Sequence, residues 1–219
     1  MNVVLFGATG MIGAGALIEC LDDDDVTEVL AVVRRPTGRS HAKLTELVHD
    51  DYLDYSAVEE KFKGYDACLY CLGISSAGFS EADYRVITYD YTVAASEVLL
   101  KHNPEMRMCF ISGDGTDANS RTMWARVKGE AEQYLLQQPY KSAHMFRPAG
   151  ILPEKGVVSG VASYRFMYKY FSWLMKLMGV FLPHMLTTSP ILGRALIRAA
   201  RDGSAPDIVD GKAINELGA

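Results

Sequence analysis

Residues 2–21, NVVLFGATGMIGAGALIECL, decide how the rest of the chain is read. A short apolar run meets glycines at Gly7, Gly10 and Gly13, and a helical pattern begins at once. An apolar run of that length reads as a strand buried on both faces. Glycine at the turn removes Cβ crowding, so main-chain amides can approach a pyrophosphate, and the positive end of the new helix favours its charge. Gly7, Thr9, Gly10, Met11, Ile12 and Gly13 are therefore expected around a dinucleotide. A tight turn without a ligand is the plainer alternative, and the order strand, loop, helix argues against it.

Further runs at 26–33, 67–72, 106–111 and 143–147 read as strands, and the weaker LTELV at 44–48 supplies another. Apolar spacing of three and four predicts helices at about 11–21, 81–101, 121–138, 161–182 and 189–202. Strands alternating with helices imply right-handed crossovers and a doubly wound parallel sheet of the Rossmann type, α/β in class. No repeat or linker divides the chain, so residues 1–219 are expected to form one domain. Arg165, Lys169 and Lys176 share one side of the 161–182 pattern, opposite Met, Phe, Trp and Leu. That amphipathic segment predicts a small helical substrate wall or lid over about 150–185, or a protomer contact; binding flat on a membrane is the weaker reading.

The chain has 219 residues, 49% hydrophobic and 22% charged, with a formal charge of -5. This composition supports a substantial core and excludes disorder, while the acidic balance argues against nucleic acid as a general partner. The charges inside 161–182 leave no uninterrupted membrane span. Four cysteines make no disulfide framework, and residues 2–6 already read as structural sequence with no room for a signal peptide. A cytoplasmic location is expected. Arg34 and Arg35 end the second strand where an NAD-binding chain usually places an acid for the ribose hydroxyls. A guanidinium pairs with a 2′-phosphate, so NADP (NADPH) is expected over NAD. Cys71, Leu72 and Gly73 follow the 67–72 run and are expected beside the cofactor at the strands' carboxyl ends.

The glycines are spaced GxxGxxG, which resembles the short-chain dehydrogenase/reductase superfamily. Downstream, CLGISSAGFSEADYRVITYDYTVAASEVL, FISGDGTDANS, WARVKGEAEQYL and FRPAGIL follow one another as in atypical members. They are similar to the NmrA-like and TIP30-like branch of NADP-binding Rossmann proteins, over most of the chain. The resemblance implies that Asp51 and Tyr52 contact the adenine and that Pro148 belongs to the cofactor site. It also implies catalytic roles for Ser112, orienting the substrate oxygen, and Lys128, holding the nicotinamide ribose. In active relatives a YxxxK pair moves the proton, but the tyrosine position here is Trp124. Residues four apart share a helical face, so the placement survives while the acidity does not, because indole is only a weak N–H donor. Tyr91 or a bound water is the better substitute among Tyr84, Tyr89, Tyr91 and Tyr134.

Other constellations favour bland readings. Asp22–Asp25 lack the spacing of a calcium loop and read as a solvated turn. Cys68 and Cys71 lie three apart on a strand, so their side chains point to opposite faces. His41, His49, His102, His144 and His184 show no ligand spacing, and no metal is expected. Two functions follow: an NADPH-dependent reductase acting on a small apolar carbonyl with an altered proton donor, or a weakly active or inactive NADP(H) sensor that docks a regulatory protein partner.

Overall fold

The computed structural model describes residues 1–156 and 185–219. The expected helix at 161–182, and most of the wall at 150–185, lie outside the described residues. The strands are β1 Asn2–Phe6, β2 Glu28–Val33, β3 Leu44–Val48, β4 Ala67–Tyr70, β5 Arg107–Ile111, β6 Ser142–Arg147, β7 Gly150–Leu152, β8 Leu186–Thr188 and β9 Ile208–Asp210. Seven form one parallel sheet ordered β3-β2-β1-β4-β5-β6-β9, and β7 and β8 pair in parallel apart from it. The expected α/β doubly wound class is what the chain adopts. β3 closes one edge of the sheet with Thr45 and Val48 exposed, which explains its mixed composition. β7, β8 and β9 have three residues each, too short for an apolar run to announce them.

The helices are α1 Met11–Asp22, α2 Glu81–Arg85, α3 Tyr91–His102, α4 Met123–Gln137, α5 Ser189–Asp202 and α6 Gly211–Gly218. The single helix expected at 81–101 is interrupted: Val86–Asp90 form a π-helical turn between α2 and α3. One added residue rotates everything beyond it by about 100° around the helix axis, and such turns recur at functional sites.

Strand alternation sends apolar side chains to two cores. Val3, Leu5, Leu69, Cys71 and Cys109 pack with α1 and α5, whereas Val4, Phe6, Cys68, Tyr70 and Phe110 pack with α3 and α4. Cys68 and Cys71 thus occupy opposite faces, and all four thiols are free and buried. Small residues bring α1 and α5 into close approach. A Cβ on Gly193 would stand 2.7 Å from Glu19 Cγ, and one on Gly15 would stand 2.9 Å from Ser189 Cβ. The Glu19 carboxylate, 6% exposed, is held in that seam by Lys155 at 2.6 Å and Arg194 at 3.5 Å. A charge so enclosed needs such partners to offset its desolvation. The aspartate run is a turn as expected: Asp22 pairs with Lys155 and Asp25 with Arg201, so the carboxylates diverge.

Candidate functional site

β1 and β4 are neighbours, yet their crossovers leave in opposite directions, and a crevice opens at the carboxyl ends of strands where that happens. A cleft of about 230 Å³ lies there, with Gly7, Thr9, Gly10, Arg34, Tyr52, Cys71, Leu72 and Gly73 in its lining. Gly7 adopts φ +79°, and a Cβ on it would stand 2.6 Å from the Cys71 carbonyl oxygen. A Cβ on Gly13 would stand 2.1 Å from the Gly7 carbonyl oxygen, which locks α1 against the loop. Gly10 begins α1 with no side-chain cap, and no acid lies in the first turn. The amides of Met11, Ile12 and Gly13 therefore belong to an uncapped positive helix end suited to an anion. Shape and charge both fit a pyrophosphate.

At the far end of the cleft the expectations divide. Arg34 enters the lining and Arg35 does not. Asp51 is spent on a local turn, its carboxylate accepting from the Leu53 amide at 3.0 Å. Its neighbour Asp50 lines the cleft instead. Tyr52 is 3% exposed, and its ring stacks on Tyr91 with centroids 5.5 Å apart. Val32, Val33, Asp50, Ile74 and Ile87 also line the cleft and were missed in the sequence, and Tyr91, weighed there only as a proton donor, lines it too. Ile87 lies within the π-helical turn and Tyr91 directly follows it.

A second cluster gathers at the carboxyl ends of β5 and β6, and none of its members lines the cleft. The Ser112 hydroxyl lies 2.9 Å from that of Thr116, which donates to the Gly113 carbonyl at 2.8 Å. Since Thr116 spends its proton there, Ser112 is the donor between the two hydroxyls and keeps lone pairs to accept with. Lys128 Nζ donates to the carbonyls of Ile111 at 3.1 Å and Ser112 at 3.3 Å. Pro148 is buried, and its carbonyl accepts from the Asp114 amide at 3.1 Å. The Trp124 ring covers the loop between, 3.7 Å from where a Gly113 Cβ would be. Helix spacing puts Trp124 and Lys128 on one face of α4, against the loop after β5 that begins with Ser112. Tyr84 is buried, and Tyr89 and Tyr134 pack edge to face on each other, leaving Tyr91 as the tyrosine of that group in the cleft.

Burial holds the Lys128 ammonium down to about 8, with Glu132 one turn on pulling it partly back up. The unfolded chain then binds the extra proton between that value and the ordinary lysine range, so this residue's contribution to stability rises with pH across the window. Wild type should gain on the order of 3 kcal/mol over Lys128→Met between pH 7 and pH 10.5. Urea denaturation of both proteins at the two pH values checks the sign, and a parallel response would refute it.

A family model described as NAD(P)H-binding matches residues 7–149. The chain belongs to this NAD(P)H-binding family. Among curated relatives, "Protein FMP52, mitochondrial" of Eremothecium gossypii is 29% identical over 158 residues, 71% of this chain and 68% of that protein. "Protein HTATIP2" of Rattus norvegicus is 24% identical over 157 residues, 70% of this chain and 64% of its own, so the match spans less than two thirds of that relative. The solved oxidoreductase of the short-chain dehydrogenase/reductase family from Burkholderia thailandensis shares the fold, with a TM-score of 0.68, 15% identity, and coverage of 97% of this chain and 92% of that one. The fold is thus the one that the motifs of this NAD(P)H-binding chain implied. The cytoplasmic expectation is overturned by the FMP52 relatives, several of which are named mitochondrial. Reduced cysteines separate oxidising from reducing surroundings, not one reducing compartment from another. Among the described residues no helix is long and apolar enough to cross a membrane.

Proposed function

We propose that this protein, acting as one domain, binds NADP(H) across the cleft and reduces a small apolar carbonyl compound at the Ser112–Lys128 cluster. The observation that carries the reading is the meeting of an uncapped helix end, a glycine cradle and Arg34 in one cleft, beside a serine and lysine already held in position. The amides of Met11, Ile12 and Gly13 would receive the pyrophosphate, and Arg34 the 2′-phosphate. Tyr52 would wall the adenine end, Cys71, Leu72 and Gly73 would line the path toward the nicotinamide end, and Pro148 would meet that end from the cluster outside the cleft. Bound NADPH would supply the hydride. Ser112 can direct a hydrogen bond to the substrate oxygen once its hydroxyl rotates away from Thr116, and Lys128, neutral or charged near physiological pH, can bind the ribose and carry a proton.

Asp50 beside Arg34 makes coenzyme choice a balance between an acid that accepts from ribose hydroxyls and a base that receives a phosphate. The reading places the balance with Arg34. Arg34→Ala should weaken NADPH binding by about 10- to 100-fold, the range of one charge-assisted contact, and leave NADH within about twofold. Arg35→Ala should move neither. Calorimetry with both coenzymes tests this, and equal losses for NADPH and NADH in Arg34→Ala would reject the 2′-phosphate role.

A second reading is favoured by Trp124: without the phenol the protein would hold NADP(H) as a weak or inactive sensor and pass its redox state to a protein partner. Stopped-flow oxidation of NADPH with a panel of aldehydes and ketones separates the two. Turnover supports the reductase, and tight binding without turnover supports the sensor.

A further inference from the structure

The amino ends of the strands, opposite the cleft, hold another group of residues with chemistry of their own. The chain enters β4 through a short 3₁₀ turn, Glu59–Phe62, which packs beside the last turn of α3. Donor atoms of Glu59, Glu60 and His102 all lie within 4.8 Å of one another there. His102 is the informative member. Its side chain is 7% exposed, yet Nε2 has no hydrogen-bond partner and faces Glu59 Oε2 from 3.9 Å. A buried ring nitrogen without a partner forfeits the hydrogen bond it would make to water.

We propose that Glu59, Glu60 and His102 bind one divalent transition-metal ion, zinc by the chemistry of the donors. Imidazole nitrogen with two carboxylate oxygens is a recognised zinc donor set, and a three-ligand site leaves a position for water. Tetrahedral ligands about 2.1 Å from an ion stand roughly 3.4 Å apart, so rotation of the two glutamates suffices to close the site from its present spacing. The backbone is already fixed for this. Asn103 ties the two elements together, its amide donating to the Phe62 carbonyl at 2.6 Å and its oxygen accepting from the amides of Gly64 and Tyr65 at 2.9 and 3.0 Å. His102 ends α3, where the helix dipole favours positive charge.

Two lysines now hold the carboxylates: Lys101 contacts Glu59 at 2.6 Å and Lys63 contacts Glu60. Both are more than half exposed, and exposed pairs of this kind hold weakly. A dipositive ion would displace them, so the lysines set its affinity. The linear sequence hides the site because its donors come from two segments separated by a strand and a helix.

The test uses untagged, chelator-treated full-length protein, with calorimetry for zinc and the visible spectrum of cobalt(II) as readouts. Wild type should bind one ion and give a cobalt spectrum with nitrogen ligation. His102→Gln should lose at least 10-fold in affinity together with that spectrum, and Glu59→Gln, a partly exposed change, should also weaken binding. Lys101→Met should tighten it. NADPH affinity should be the same in all of them, which separates this site from the cleft and reports that the variants are folded. No zinc heat with wild type, or an isotherm unchanged in both His102→Gln and Glu59→Gln, would overturn the proposal.

Discussion

Gly7→Ala should abolish measurable binding of NADPH and NADH, a loss of at least 100-fold, while Gly64→Ala should leave both unchanged. The two glycines share a left-handed backbone, φ +79° at Gly7 and +85° at Gly64, and differ in what surrounds them. A methyl at Gly64 meets nothing within 4 Å, so its cost is conformational alone, about 1–2 kcal/mol. A methyl at Gly7 meets the Cys71 carbonyl oxygen at 2.6 Å and the Leu72 amide nitrogen at 2.7 Å, both main-chain atoms next to a buried strand. Neither can swing aside as a side-chain tip would. The loop must lift, and the amides following it lose their aim at the pyrophosphate. Calorimetry with each coenzyme and a thermal melt of each variant would check this. Equal melting losses in the two variants with coenzyme affinity intact would show that the cradle is not what holds the nucleotide.

Trp124→Tyr should raise the turnover of an accepted carbonyl substrate by 10-fold or more, with little change in NADPH affinity. A positioned acid commonly contributes 10²- to 10⁴-fold. Indole has no proton to give at ordinary pH, whereas a phenol one turn from the Lys128 ammonium is drawn toward ionisation by that charge. The geometry for exchange is present, because Trp124 lies over the Gly113–Gly115 loop and Lys128 is anchored on the Ile111 and Ser112 carbonyls. A phenol is smaller than an indole, so the substitution relieves the loop and does not crowd it. Single-turnover oxidation of NADPH would report the chemical step. Efficient wild-type turnover with no gain in the variant would mean that the proton comes from elsewhere, and Lys128 would be the first group to examine.

Much of this architecture was legible because strongly buried strands and glycine turns leave dense local signals. Residues 2–13 declare a strand, a loop and a helix start within one continuous window, and the apolar run at 67–72 declares its strand as plainly. What was not legible depended on backbone detail without a compositional mark. Nothing in VITYD announces a π-helical turn, so the entry of Ile87 and Tyr91 into the cleft could not be read. Asp50 and Asp51 are chemically identical neighbours, and only the turn that captures the Asp51 carboxylate decides which faces the cleft. Arg34 and Arg35 divide in the same way, since adjacent side chains at the end of a strand point to opposite sides. Strands of three residues carry too little apolar pattern to be seen at all.

The seam between α1 and α5 bears on how this chain can be divided. The match to the nucleotide-binding family closes at residue 149, yet the helix whose amino end opens on the cleft leans on Ser189, Gly193 and Arg194. Amputating the later segment would strip one flank of the sheet and leave the Glu19 carboxylate without Lys155 and Arg194. The part that looks self-sufficient by descent is mechanically unfinished, and its aim is supplied from the opposite terminus.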